Sequence, residues 1–109
     1  MFFKASEYTV REVAELLKSS QPPRLLDSRE PGEWELAHLP GSSPYTEALM
    51  EEVLKTWDRS TPIVTVCHHG IRSMNLARFL QKQGFTQVRS MKGGVEAWAL
   101  QIDPALPRY

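Results

Sequence analysis

Residues 63–73 decide the fold of this chain and read Ile63-Val64-Thr65-Val66-Cys67-His68-His69-Gly70-Ile71-Arg72-Ser73. The run opens with four apolar or β-branched residues, which is typical of a buried strand. Cys67 follows where that strand ends, and a short cationic loop leads into a helix that we expect to begin near Ser73. A helix N-terminus carries unpaired N–H groups and the positive end of the macrodipole, so it stabilises an anion such as a thiolate.

Two interpretations of Cys67 follow from this placement. A free cysteine is often a small buried hydrophobe, and a thiol that follows Val66 could simply belong to the core. The next residues favour a reactive thiol instead, because histidines, glycine and arginine line an apolar pocket poorly and provide the partly exposed, electropositive surroundings in which a cysteine becomes nucleophilic.

Length and cysteine content limit the class of protein. The chain has 109 residues and one cysteine. This length predicts a single domain, residues 1–109, with a core at about residues 8–100 and a surface tail at residues 101–109. One cysteine cannot form a disulfide within the chain, so the sequence fits a reducing compartment and we expect a cytoplasmic protein.

Charge and hydropathy argue against two classes of partner. The 13 Lys and Arg residues balance the 13 Asp and Glu residues, which leaves no overall field to attract nucleic acid or an anionic membrane. No apolar run approaches the roughly 18 residues of a membrane span. Residues 1–6 also lack the basic and apolar segments of a secretion signal. We therefore expect binding to neither nucleic acid nor membrane.

Helix and strand patterns alternate along the chain. A capping box formed by Thr9 and Glu12 predicts a helix from Val10, and later patterns predict helices over about residues 31–36, 46–57, 73–83 and 95–100. Strands are predicted at residues 24–28, 63–66 and 87–91, whereas residues 38–44 have the composition of a loop. The three tryptophans fall on apolar helix faces and are predicted to be core residues: Trp34, Trp57 and Trp98.

This alternation predicts an α/β fold. Strands that alternate with helices pair in parallel through right-handed crossovers, so the sheet is covered by helices on both faces. Ligands of such sheets bind beyond the carboxyl ends of the strands. Asp27 and Cys67 both follow a predicted strand, and we expect them on the same side of the domain.

Four motifs, in order, resemble the rhodanese-like sulfurtransferase family. The resemblance covers about residues 8–100 and is strongest with a single-domain rhodanese. Each motif alone is a weak match, but the four together are specific. They are Leu26-Asp27-Ser28-Arg29-Glu30 with Glu33, His38-Leu39-Pro40-Gly41, the cysteine loop from Cys67 to Ser73, and Met91-Lys92-Gly93-Gly94-Val95-Glu96-Ala97-Trp98.

The resemblance implies a central parallel sheet of about five short strands, flanked by helices on both faces. It also implies a catalytic cycle without a separate cofactor, in which the Cys67 thiolate takes a sulfane sulfur from a small anionic donor such as thiosulfate. The resulting cysteine persulfide then passes its outer sulfur to a thiol or to cyanide. A protein could serve as donor or acceptor in the same cycle.

The loop composition suits a persulfide, whose charge lies on an outer sulfur. A tight turn at Gly70 can direct several backbone amides at that sulfur. The expected amide donors are His69, Gly70, Ile71, Arg72 and Ser73, and the Arg72 guanidinium adds a positive charge for an oxyanion donor. Four residues separate Cys67 from Arg72. The related cysteine phosphatases and arsenate reductases have five, so this shorter loop favours a single sulfur atom over phosphate.

Further candidates near the site have a structural and a functional interpretation. Asp27 and Arg29 match the family's Asp-x-Arg run and either bind the donor or support the pocket, with Arg29 able to pair with Glu33. His38 is a possible general base, although a histidine in this turn more often bonds to backbone. His68 and His69 are expected to line the rim and to become cationic in mild acid. Their spacing is poor for a metal, and we expect no metal site.

Two other functions remain compatible with the sequence. A rhodanese-like module can recruit a protein partner without turnover, but such modules usually lack the cysteine, and this chain retains Cys67 and Arg72. Alternatively, Cys67 could carry sulfur between proteins in a relay. The leading hypothesis is a sulfurtransferase that uses a Cys67 persulfide.

Overall fold

A computed structural model describes residues 7–109, and the expectation about a secretion signal in residues 1–6 lies outside them. The strands are β1 (Glu7–Tyr8), β2 (Arg24–Asp27), β3 (Ser43–Pro44), β4 (Ile63–Val66) and β5 (Val88–Met91). The helices are α1 (Val10–Leu17), α2 (Pro31–Leu36), α3 (Glu47–Thr56), α4 (Ile71–Lys82) and α5 (Gly94–Gln101). None of these helices is long and apolar enough to cross a membrane.

The strands form one parallel sheet in the order β1-β5-β4-β2-β3. The cysteine strand β4 lies at its centre, and all four of its residues are buried. Successive side chains of a strand point to opposite faces, so Val64 and Val66 pack against α1 and α5, whereas Ile63 packs against α3 and α4. The predicted α/β fold with helices on both faces of the sheet is confirmed.

The predicted elements are present with small shifts at their ends. Thr9 and Glu12 form the predicted capping box of α1, with bonds of 2.8 and 3.1 Å. Helix α4 begins at Ile71 rather than near Ser73, because Gly70 adopts a left-handed conformation with φ of 106° and turns the chain directly into the helix.

Three expectations, one about a strand and two about tryptophans, are wrong. Residues 43–44, predicted as part of a loop, pair with β2 as the short strand β3, since the backbone of Ser43 and Pro44 lies alongside Leu26 and Asp27. Trp34 is half-buried and not a core residue: its ring stacks on His38 at 3.8 Å between centroids. Trp57 is also half-buried, and only Trp98 of the three lies in the core, 6% exposed.

Candidate active site

Cys67 follows the central strand β4 and lies at the base of a turn that ends in helix α4. Its residue is 1% exposed, so the partly exposed cysteine expected from the sequence is wrong. The surroundings are nevertheless polar, because Ser73 and Ser90 are buried beside it with no exposed surface. Cys67 is therefore buried without being a hydrophobic core residue.

Two groups reach the Cys67 sulfur. The backbone N–H of Gly70 donates to Sγ at 2.9 Å, and the Ser73 hydroxyl lies 3.3 Å from the same atom. Of the five expected amide donors, Gly70 is thus the one whose N–H is seen to donate to the sulfur. Ile71, Arg72 and Ser73 form the first turn of α4, where N–H groups lack partners within the helix. Charge on this sulfur, or on a second sulfur bonded to it, would lie at the positive end of α4.

The turn at Gly93 and Gly94 holds the backbone of the cysteine loop. The amides of Val95 and Glu96, in the first turn of α5, donate to the carbonyl oxygens of Cys67 and His68 at 2.8 and 3.2 Å. A Cβ on Gly94 would lie 2.2 Å from the Cys67 oxygen. Glycine is therefore required here both for its φ of +62° and for the close approach of the two backbones.

Asp27 and Arg29 form a buried ion pair beside the loop. Arg29 Nη2 donates to Asp27 Oδ2 at 2.7 Å, and neither side chain has exposed surface. Burial acts to lower the pKa of the Arg29 guanidinium, but hydrogen bonds to Asp27 and Tyr109 outweigh burial and raise it. The expected pairing of Arg29 with Glu33 is wrong, because Asp27 lies closer and shares its burial.

Glu33 pairs instead with Arg72, the cation expected to bind the donor. Two hydrogen bonds, of 2.8 and 3.2 Å, join the guanidinium to the two carboxylate oxygens. The bonds from Arg72 lower the pKa of Glu33 to about 2. The Arg72 side chain remains 45% exposed, so it can exchange partners with an incoming anion at the surface.

The phenol of Tyr109 joins these two ion pairs. Its oxygen accepts a hydrogen bond from Arg29 Nη1 at 2.6 Å and donates to Glu33 Oε2 at 3.0 Å. Its ring stacks on His68 at 4.2 Å between centroids. The segment after α5 therefore lies against the rim of the site, and Arg108 reinforces it through an ion pair with Glu96.

The three histidines differ in environment. His68 is half-buried, and burial followed by repulsion from His69 lowers the pKa of His68, so its expected protonation in mild acid is disfavoured. His69 is exposed. The His38 Nδ1 donates to the Trp34 carbonyl at 2.7 Å, a backbone bond of the kind expected for this turn. Within residues 7–109, no three metal-ligating side chains are grouped to hold a metal ion.

Comparison with known proteins identifies the family. The profile of the rhodanese-like domain matches residues 9–101. The chain belongs to the rhodanese-like domain family. Among curated relatives, this rhodanese-like domain is 32% identical over 108 residues to the probable adenylyltransferase/sulfurtransferase MoeZ of Mycobacterium tuberculosis. It is 33% identical over 108 residues to the rhodanese-like/PpiC domain-containing protein 12, chloroplastic, of Arabidopsis thaliana.

These alignments cover 97% and 90% of this rhodanese-like domain, but 28% and 36% of the two relatives. The chain thus spans about a third of the length of the curated relatives it matches. Solved structures cover it more evenly. The human single-domain sulfurtransferase TSTD1 superposes with a TM-score of 0.78 at 20% identity, covering 90% of this chain and 98% of that one. A rhodanese-like domain protein from Staphylococcus aureus gives 0.76 at 22% identity, covering 96% and 99%.

Sequence reasoning about this rhodanese-like domain missed two residues at the site. Ser90 lies within strand β5, and Tyr109 lies in the segment expected to be a surface tail. Neither position carries a local pattern, because both reach the site through contacts between residues far apart in the chain. Glu33 was within the quoted motif, but the motif did not reveal which arginine it binds.

Proposed function

We propose that this rhodanese-like domain is a sulfurtransferase that carries a sulfane sulfur as a persulfide on Cys67. The observation that supports it most directly is the Gly70 amide 2.9 Å from the Cys67 sulfur, at the head of helix α4. An amide aimed at sulfur stabilises the charge of a thiolate or persulfide. The relatives named as sulfurtransferases support the same reaction class.

The first half of the cycle loads the sulfur. The Cys67 thiolate attacks the outer sulfur of thiosulfate and forms a new S–S bond. The bond between the outer sulfur and the sulfonate breaks, and its electron pair leaves with sulfite. The negative charge that was on Cys67 is then on the outer sulfur of the persulfide, so no oxidant or separate cofactor is consumed.

The second half transfers the sulfur. A thiolate or cyanide acceptor attacks the outer sulfur, the S–S bond of the persulfide breaks, and its electron pair returns to Cys67. The products are an acceptor persulfide or thiocyanate and the starting thiolate. Gly70 and Ser73, which contact Sγ, are placed to stabilise the thiolate at both the beginning and the end of the cycle.

Arg72 is proposed to bind the sulfonate of the donor. Its guanidinium already binds a carboxylate through two hydrogen bonds, and a sulfonate offers the same paired oxygens. Binding would exchange Glu33 for the donor. Because the side chain is 45% exposed, this exchange does not expose a buried charge.

Intact mass spectrometry tests the proposal. After incubation with thiosulfate, the protein should gain the mass of one sulfur atom, and cyanide should remove it. The Cys67→Ser variant removes the only thiol and is the matched control. The proposal fails if the wild-type protein gains no sulfur, or if the gain persists in Cys67→Ser.

A second candidate function is a persulfide carrier in a protein relay. It is favoured by the relative named adenylyltransferase/sulfurtransferase, in which the matched region is 28% of the whole. Loading rates distinguish the two functions: a carrier accepts sulfur faster from a cysteine desulfurase that bears a persulfide than from thiosulfate at equal concentration. Faster loading from thiosulfate supports the small-molecule enzyme.

A further inference from the structure

A line of buried hydroxyl groups extends from the Cys67 sulfur into the sheet. The Ser73 Oγ lies 3.3 Å from Cys67 Sγ and 2.6 Å from Ser90 Oγ. Both serines are 0% exposed. Ser90 belongs to strand β5, next to the cysteine strand, where it pairs with Thr65. Ser90 therefore reaches the sulfur through one intermediate hydroxyl.

The direction in which these hydroxyls donate their hydrogen bonds depends on the charge of the sulfur. A serine hydroxyl has one proton to donate and can accept from its neighbours. When Cys67 is a thiol, its S–H donates to Ser73, and Ser73 donates to Ser90. When Cys67 is a thiolate, Ser73 must donate to the sulfur, and Ser90 then donates to Ser73. Rotation of two hydroxyl protons makes the change, and no heavy atom has to move.

We propose that Ser90 is a positioning residue of the sulfur site, which orients the Ser73 hydroxyl toward Cys67 whenever that sulfur carries negative charge. If an apolar side chain replaced Ser90, the buried Ser73 hydroxyl would lose its second hydrogen-bond partner. A hydroxyl that accepts a hydrogen bond from one neighbour also donates a stronger one to the next. The Ser90 hydroxyl thus favours the thiolate without touching it.

The same hydrogen bonds should also affect the release of sulfur to an acceptor, an inference that rests on the proposed function. When an acceptor attacks the outer sulfur of the persulfide, the S–S bond breaks and its electron pair goes to Cys67 Sγ. The developing charge is on the atom that faces Ser73. Ser90 therefore lowers the barrier for release by stabilising the leaving thiolate.

Thr65 provides a matched control within the same buried cluster. It is also 0% exposed and also bonds to Ser73, but its hydroxyl donates to the Ser73 backbone carbonyl at 2.7 Å. Thr65→Val removes a buried hydroxyl and keeps the shape of the side chain. Loss of the Thr65 hydroxyl should lower the stability of the fold but leave the hydrogen bonds between Ser90, Ser73 and the Cys67 sulfur in place.

The test is a pH titration of the ultraviolet absorbance of the Cys67 thiolate, with Cys67→Ser as the blank. In Ser90→Ala the midpoint should rise by about half to one pH unit, the size expected for the loss of one hydrogen bond between uncharged groups. Thr65→Val should keep the wild-type midpoint. Ser73→Ala should shift at least as far, and adding Ser90→Ala to it should shift no further, because Ser90 acts only through Ser73. Thermal unfolding of each variant checks that it is folded.

A Ser90→Ala midpoint equal to that of wild type overturns the proposal, as does an equal shift in Thr65→Val or an additive double variant. Should Ser90→Ala not fold, an unshifted Ser73→Ala overturns it as well. With preformed persulfide, release to cyanide should slow by about three- to tenfold in Ser90→Ala. The thiolate titration needs no sulfur transfer, so a shift without sulfur loading defeats the proposed function alone, and loading without a shift defeats this inference alone.

Discussion

Arg72 is the residue on which donor binding depends in the proposed cycle, and its resting partner is Glu33. The pair is half-exposed, so it contributes at most about 1 kcal/mol to folding. The ion pair therefore holds the guanidinium in a defined position beside the cysteine loop, but the stability of the fold depends little on it. A donor sulfonate needs to compete only with a carboxylate that is itself partly exposed, 24%.

We predict that Arg72→Ala raises the KM for thiosulfate about tenfold, which corresponds to ~1.4 kcal/mol of lost binding from a charged hydrogen bond. The free energy of unfolding should change by less than about 1 kcal/mol. Arg78→Ala, an exposed arginine on the same helix, is the control. Steady-state kinetics and urea unfolding measure both effects. Equal KM values for the two variants would contradict the role of Arg72.

At the residue scale, the sequence predicted the position of Cys67 after a buried strand and the loop that follows it, but not all of their side-chain partners. The strand pattern and the glycine made Cys67 and Gly70 recognisable because both depend on neighbours in sequence. The exposure of Cys67 and the partner of Arg29 were predicted wrongly. Both depend on side chains from elements that are distant in the chain, and no local pattern specifies those contacts.

At the element scale, helix α5 has a second task besides covering the sheet. Its first turn binds two carbonyl oxygens of the cysteine loop, and Gly93 and Gly94 let its backbone come close enough to do so. The sequence predicted the turn at this glycine pair and the helix after it. The sequence did not show that this turn holds the cysteine loop, because the two segments are far apart in the chain and meet only where strands β4 and β5 end side by side.

We predict that Gly94→Ala destabilises the fold far more than Gly41→Ala. Both glycines have positive φ, +62° and +81°, but a Cβ on Gly41 would meet no atom within 4 Å, whereas one on Gly94 would overlap the Cys67 carbonyl. We expect Gly94→Ala to lose at least about 2 kcal/mol more stability than the control, and to lose sulfur loading with it. Urea unfolding and intact mass measure the two effects. Similar losses for both variants would show that the close approach does not matter.

At the scale of the whole molecule, one chain of polar contacts connects three distant parts of the sequence. It runs from Asp27 through Arg29 and Tyr109 to Glu33 and then to Arg72. The segment after α5 thereby becomes part of the site. The sheet and the two helical layers were predictable from alternation of patterns, but this connection required the folded chain.

The Glu33 carboxylate makes part of this network sensitive to acid. Its pKa is held at about 2 in the folded protein, below the ordinary value of 4.5, mainly by hydrogen bonds from Arg72. A lowered pKa means that the stabilisation is complete above about pH 4.5 and is lost as the pH falls toward 2. We predict that the difference in unfolding free energy between wild type and Glu33→Gln is constant from pH 7 to about 5 and then shrinks.

Urea unfolding at several pH values measures this difference, and Glu35→Gln controls for the removal of an exposed acidic side chain from α2. A difference between wild type and Glu33→Gln that grows as the solution is acidified would contradict the assigned pair.

The burial of Cys67 also determines what can react with it. A disulfide between two copies would need their Cα atoms about 5.5–6 Å apart, and the folded loops around a residue that is 1% exposed keep them farther away. We therefore expect the fold to prevent a disulfide between the Cys67 residues of two copies of the chain. For the proposed function we therefore expect donors and acceptors to be small anions, or thiols carried on extended segments, rather than groups on a folded protein surface.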